Sequence, residues 1–168
     1  MTLPYIILGC GGHARVLVDT MRLDDATILG ATGTDPAAPA NAVDVPYLGT
    51  DAEVLEYDIK EVWLVNAVGS VGNMRKRYAI HTHFQERGYV FASIVHPDAM
   101  IAETANVGPG VQIMMGAIVQ SGAWLAQGVL VNSGAIVEHD CVLGAHTYIG
   151  PGATLSGGVI LGLGVQIG

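Results

Sequence analysis

A chain of 168 residues, 51% hydrophobic and with a formal net charge of −8, can bury a core as one domain or two small ones, and its acidity argues against nucleic acid as a partner. Its mean hydropathy is positive, yet no uninterrupted apolar run reaches the ~18 residues of a membrane-spanning helix, and residues 1–9 lack the basic and long apolar regions of a signal peptide. Cys10 and Cys141 stand far apart, which gives no disulfide framework and points to a reducing, cytoplasmic setting.

Residues 1–95 alternate between strand-like and helix-like segments. Tyr5-Ile6-Ile7-Leu8 reads as a strand, followed by the glycine turn Gly9-Cys10-Gly11-Gly12-His13-Ala14 and an amphipathic helix from Ala14 to Leu23. Residues 27–31 form a second strand, residues 35–41 a Pro/Ala-rich surface loop, and Asp51 is placed to cap a short helix through Tyr57. A buried strand spans residues 61–66, a longer helix runs from Asn73 to Arg87 with Gly88 closing it, and residues 89–95 return as a strand. His96-Pro97 then passes the chain to a different pattern. The alternation predicts an α/β unit with a parallel sheet of Rossmann type.

Between first strand and first helix, Gly9-x-Gly11-x-x-Ala14 lets backbone approach a phosphate closely, with helix N–H groups aimed at the anion. A dinucleotide site would place an acid at the end of the second strand, and Asp35 falls a few residues late. No dehydrogenase-like catalytic domain follows either. The turn therefore fits a nucleotide-phosphate pocket better than NAD; the plain alternative is a glycine turn that only packs helix on strand.

From Ile101 to Gly168 the period is six. The first position runs Ile101, Val107, Ile113, Val119 and onward to Ile167, always a branched aliphatic, and the fifth, from Ala105 to Val165, is always small or slender. Glycine recurs at the second and fourth positions. A helix needs apolar spacing near 3.6 and does not tolerate so much glycine. Glycine-punctuated sixes are the signature of a parallel β-helix, each hexad giving a short strand and a tight turn. Three hexads close one triangular coil, so these 68 residues make a little under four coils. After Arg87 there is no Lys or Arg, so this part must hold any phosphate with backbone N–H groups or with basic residues from elsewhere.

The opening Gly9–Arg15 turn, the junction Ile94-Val95-His96-Pro97, the stretch from Val131 through Glu138-His139-Asp140 to Cys141, and Ser156-Gly157-Gly158 resemble hexapeptide-repeat sugar acyltransferases. These comprise the sialic-acid O-acetyltransferase type and the bacterial nucleotide-aminosugar N-acetyltransferases. The resemblance implies a Rossmann-like nucleotide-sugar-binding domain over residues 1–95 and a left-handed parallel β-helix over residues 96–168. It also implies a homotrimer, acetyl-CoA as co-substrate, and acetyl transfer to the amino group of a nucleotide-linked amino sugar, a bacterial glycan precursor. The rival readings are O-acetylation of sialic acid or a related sugar hydroxyl, and a non-catalytic trimeric sugar-binding scaffold. Left-handedness rests on the resemblance alone, because parallel crossovers are ordinarily right-handed.

Three features depart from the family pattern. Its acidic pair after the second strand is replaced by Gly33-Thr34, which leaves Asp35 for the base and ribose contacts. A second histidine, common nine residues past the catalytic one, is replaced by Tyr148, with His146 two residues earlier. The repeat breaks off in mid-hexad at Gly168, short of the family's further coils and closing tail, which predicts a truncated form with weak acetyl-CoA affinity.

His139 occupies the third position of its hexad, outside the aliphatic core, and an imidazole with an ordinary pKa near 6.5 suits a general base. Glu138 or Asp140 can hold its other nitrogen. The resemblance favours Asp140, although neighbours on a strand face opposite ways, so turn geometry decides. The plain alternative is a solvated edge. The resemblance further implies Gly157 as the oxyanion donor, Asn132 facing the sugar, His146 and Tyr148 at the thioester end of the CoA channel, and His13 with Gly11 and Gly12 on the substrate's phosphate or sugar. Set against these are an asparagine ladder for Asn132 and a simple turn role for Gly157. Neither Cys10 nor Cys141 suits a nucleophile, Cys141 being placed to enter the core. His81 and His83 read as packing or surface residues, and Trp63 and Trp124 as structural or interfacial. No Cys/His cluster has zinc spacing, so no metal is expected.

Overall fold

The computed structural model describes residues 3–34, 43–69 and 74–168. The chain divides into two compact units, Met1–Ala92 and Ser93–Gly168. Asp35 and the Pro/Ala-rich loop lie outside the described residues, as does the expected helix start at Asn73.

In the first unit, β1 (Tyr5–Leu8), β2 (Ile28–Thr32), β3 (Tyr47–Gly49) and β4 (Trp63–Asn66) form a parallel sheet in the order β3-β2-β1-β4. The three-residue β3, half-buried throughout, has no alternation by which the sequence could announce it. Helix α1 (Gly12–Arg22) buries Ala14, Leu17, Val18 and Met21, the spacing of a single apolar stripe. It begins two residues ahead of the expected start because Gly11 takes the N-cap position. Helix α2 (Met74–Gln85) ends in a Schellman arrangement: Gly88 has φ +89, its N–H reaches Gln85 O at 3.0 Å, and Tyr89 N reaches Phe84 O at 3.1 Å. On α2, His81 is buried and stacked on Phe91, while His83 is exposed and sits edge-on to Phe84.

Two local expectations are corrected. Asp51 does not cap the short helix, which is a 3₁₀ turn over Asp51–Glu56; Thr50 does. The Thr50 hydroxyl accepts from Ala52 N at 3.3 Å, as an N-cap does, and donates to the Glu53 carboxylate at 2.7 Å. Asp51 instead accepts a hydrogen bond from Thr32. The strand expected over residues 89–95 divides. Phe91 makes a single parallel bridge to Leu64, whereas Ile94–Val95 pairs with Gln112–Ile113 and opens the repeat.

The second unit is a left-handed parallel β-helix of two-residue strands, from Ile94–Val95 to Gln166–Ile167, arranged in three sheets. Strands pair with those eighteen residues on: Trp124 lies beside Val142, and Val142 beside Ile160. The first-position aliphatics Ile113, Val119, Leu125, Val131, Val137 and Leu143 fill the interior, with slender Val111, Ala117, Ala123 and Cys141 between them. Small fifth-position residues let three walls converge on one axis. At the fourth position the chain turns a corner, and eight glycines there have φ between +66 and +72, where a Cβ is disfavoured. Only Asp140 (φ +59) and His146 (φ +57) take this conformation in the repeat with side chains attached.

Candidate active site

One corner of the β-helix stacks Ser121-Gly122, His139-Asp140 and Gly157-Gly158, each pair one coil above the last. Asp140 N donates to Ser121 O at 3.0 Å and Gly158 N to His139 O at 2.8 Å, so the middle pair is fixed from both sides. In an extended strand the two side chains would diverge. The positive φ of Asp140 folds them together instead, and His139 Nδ1 lies 2.9 Å from Asp140 Oδ2. A non-glycine residue in this backbone region costs roughly 1 kcal/mol, somewhat less for Asp. Strain of that kind accumulates at functional positions.

The carboxylate fixes the tautomer: Nδ1 carries the hydrogen toward Asp140, and Nε2 keeps its lone pair. The hydrogen bond that the ring donates to Asp140 and the charge of that carboxylate hold the imidazole above its ordinary range, with a smaller contribution from the Glu138 charge, against slight desolvation. Both His139 and Asp140 are exposed, so solvent reaches the base. Glu138 is half-buried and acts on the ring through space. Gly157 is brought directly against the ring: its nearest neighbours, were it to carry a Cβ, would be three imidazole atoms.

The other repeat residues gather elsewhere. Asn132 donates to the Tyr148 hydroxyl at 3.2 Å and accepts from Ser133 N at 2.8 Å. It forms no asparagine ladder, since Met114 and Gly150 occupy its place in the adjoining coils. Tyr148 is buried, and His146 is buried against Gly128 at the next corner in sequence. Asp140 and His146 had a signal in the sequence, being side chains at a fourth position that is otherwise glycine from Gly110 to Gly164. Cys141 is fully buried and donates its thiol to Ser156 O, which removes it as a nucleophile.

The first unit carries a cavity of about 260 Å³ lined by Gly9 to His13, Gly33, Thr34, Asp51, Ala67 to Gly69, and Lys76. It opens at the carboxyl ends of β1, β2 and β4, where the strand order reverses and α/β sheets bind ligands. Gly9 has φ +112, and a Cβ there would come within 3.1 Å of the Ala67 backbone. Helix α1 points its N-terminus at the cavity with no side-chain cap and no acid in its first turn, which leaves its positive end for an anion. Behind the wall, Arg77 donates to Asn66 O at 2.9 Å and Val68 O at 3.0 Å, and Asn66 returns a bond to Arg77 O at 2.8 Å. Burial pushes the Arg77 guanidinium down to about 10. Gly11, Gly12 and His13 thus line the cavity as the sequence suggested. Asp51 and Lys76 join them without any local signal, because only the fold brings residues so distant in sequence to one opening.

The PglD N-terminal domain family matches residues 5–84, and the bacterial transferase hexapeptide (six repeats) family matches residues 122–157. No curated protein matches the chain. Among solved structures it is similar to a histidine variant of perosamine N-acetyltransferase from Caulobacter crescentus in complex with CoA and GDP-perosamine. That pair has a TM-score of 0.84 and 29% identity over 99% of this chain and 80% of the other. It is also similar to the acetyltransferase domain of PglB from Neisseria gonorrhoeae FA1090 in complex with acetyl coenzyme A, with a TM-score of 0.82 and 30% identity over 99% of this chain and 82% of that one. Identity at that level across nearly the whole chain reflects more than a shared architecture, and the chain belongs to the hexapeptide-repeat sugar acyltransferase family.

Proposed function

We propose that this enzyme moves the acetyl group of acetyl-CoA onto the amino group of a nucleotide-linked amino sugar. The observation that carries the reading is the His139–Asp140 pair, a base with a fixed tautomer exposed on a β-helix corner. It stands in a chain similar to N-acetyltransferase structures holding CoA and GDP-perosamine or acetyl coenzyme A. Those relatives favour an amine acceptor over a sugar hydroxyl, and a positioned base is more than a scaffold requires.

In this reading the deprotonated acceptor amine attacks the thioester carbonyl carbon. The C–N bond forms, the C–S bond breaks and CoA leaves as a thiolate. The surplus proton on nitrogen passes to His139 Nε2, while Asp140 holds the imidazolium, and is returned to the thiolate sulfur. A backbone N–H, assigned to Gly157, steadies the developing oxyanion. No covalent acyl-enzyme is involved. The N-terminal cavity takes the nucleotide, with its phosphates at the α1 N-terminus near Gly11, Gly12, His13 and Lys76, and Asp51 placed for a hydroxyl or N–H of the nucleoside. Asn132 is assigned to the sugar side, positioned by Tyr148, and His146 with Tyr148 to the thioester end of the CoA channel.

A homotrimer fits this reading. Trp124, Val142 and Ile160 are exposed in direct register up one sheet face, an apolar stripe that a neighbouring copy would cover. The exposed dyad would gain an enclosing wall from the same neighbour. A cytoplasmic setting fits an acyl-CoA donor, and among the described residues no helix is long and apolar enough to cross a membrane. The test is incubation with acetyl-CoA and UDP-, GDP-, dTDP- and CMP-linked amino sugars, read by CoA release and mass spectrometry. An acetylated amino sugar is expected. Acetylation of a hydroxyl alone, or no CoA release with any acceptor, would overturn the reading.

A further inference from the structure

We propose that Gly157 is a positioning residue for His139: the absent side chain is the floor on which the imidazole lies, so the following coil aims the base. The kinetic part of this inference rests on the reading just given; the geometric part does not. A Cβ built on Gly157 would lie 2.5 Å from His139 Nε2, 2.6 Å from Cε1 and 3.0 Å from Cδ2. The three nearest atoms all belong to the ring, and all are on its reactive side.

The repeat itself does not call for this glycine. The turn requires its neighbour Gly158, which has φ +72, whereas Gly157 lies outside the left-handed region and its backbone would accept alanine. The third hexad position at the same corner carries Glu103 and Ser121 in earlier coils, so side chains are admitted there. Glycine is needed at 157 only because an imidazole lies above it. By contrast, Gly122, whose Cβ would meet Asp140 Oδ1 at 2.5 Å, is already demanded by its own φ of +72. A methyl group at 157 must lift or rotate the ring, and the ring's edge contact to Asp140 is lost or Nε2 is re-aimed. Misplacement by about 1 Å is enough to cost on the order of a hundredfold in rate.

The experiment compares Gly157→Ala with Gly162→Ala, a repeat glycine of ordinary φ whose Cβ would meet nothing within 4 Å. Gly157→Ala should lower kcat by about ten- to a hundredfold with KM values within about twofold, and Gly162→Ala should behave as wild type. In a His139→Ala background Gly157→Ala should have no further effect, because the two act as one unit. Gly157→Ala keeps the backbone N–H, so a full additional loss there would mean that the added methyl group acts on the donor independently of the ring, and would overturn the proposal, as would unchanged kcat in the single variant. NMR titration of His139 without substrate gives a second reading. Displaced from Asp140, its pKa should fall toward the ordinary value in Gly157→Ala. An unchanged titration, or a variant that fails to fold, would overturn the proposal even if no sugar were ever acetylated by the wild type; a fallen pKa would uphold it in that case.

Discussion

Asp140 Oδ2 lies 2.9 Å from His139 Nδ1, and two consecutive residues share one side of the corner because Asp140 adopts φ +59. The pairing ties the protonation state of an exposed imidazole to the backbone geometry of a turn. Removing the ring should therefore remove the chemistry with little loss of binding. His139→Ala is expected to lower kcat by about 10²- to 10⁴-fold, the range of general acid–base catalysis, with KM values nearly unchanged. Full activity near pH 7 would return Glu138-His139-Asp140 to the role of a solvated edge.

The same geometry orders the two carboxylates. The base must be neutral to accept a proton, so activity rises as pH climbs through the His139 pKa. Asp140 raises that pKa chiefly by its hydrogen bond and charge. Asp140→Asn should thus shift the acidic limb of the kcat profile to lower pH while reducing the plateau, since the imidazolium loses its partner. Glu138→Gln should move the limb in the same direction by less. A larger displacement from Glu138→Gln would identify the wrong carboxylate as the orienting one.

The N-terminal cavity should govern one substrate only. Gly12→Val places bulk at the α1 N-terminus, where a Cβ would meet nothing closer than Arg15 at 3.9 Å, so the fold should be kept and the cavity obstructed. Asp51→Asn keeps an oxygen for the Thr32 hydroxyl but loses the charge facing the cavity. Both should raise KM for the nucleotide sugar, by about tenfold for Asp51→Asn if it receives one hydrogen bond. KM for acetyl-CoA should stay nearly constant; parallel increases for both substrates would refute the division of labour.

Assembly is testable at the exposed stripe. Val142, at the centre of the register between Trp124 and Ile160, is half exposed. Val142→Asp buries no charge in a monomer but would bury one in a trimer interface. Sedimentation should find a trimer for the wild type and smaller species for Val142→Asp. A wild-type monomer at micromolar concentration would rule out a site shared between copies.

Cys141→Ala tests direct transfer. The thiol is fully buried and bonded to Ser156 O, at a fifth position where alanine recurs through the repeat. A modest stability loss of about 1 kcal/mol and unchanged kcat are expected. Loss of activity at unchanged folding would demand an acyl-enzyme.

The β-helix was legible because its burial is periodic: every sixth aliphatic faces the same axis, so the core is written into the chain as a local pattern. The α/β unit was legible for a similar reason, through apolar runs and glycine punctuation, apart from β3, too short to carry a pattern. The Glu138-His139-Asp140 triplet also stood out in sequence, but not which carboxylate serves the ring. Asp tolerates both hands of the backbone, and the sign of φ at Asp140 was settled by stacking on Ser121 below and Gly158 above. Thr50 rather than Asp51 capped its helix because Asp51 had a partner in Thr32, on a strand nineteen residues away. Lys76 reached the cavity of Gly11 and His13, and Gly157 reached His139, through strand order and coil register. Those relations bring together residues far apart in the chain, and no local spacing encodes them.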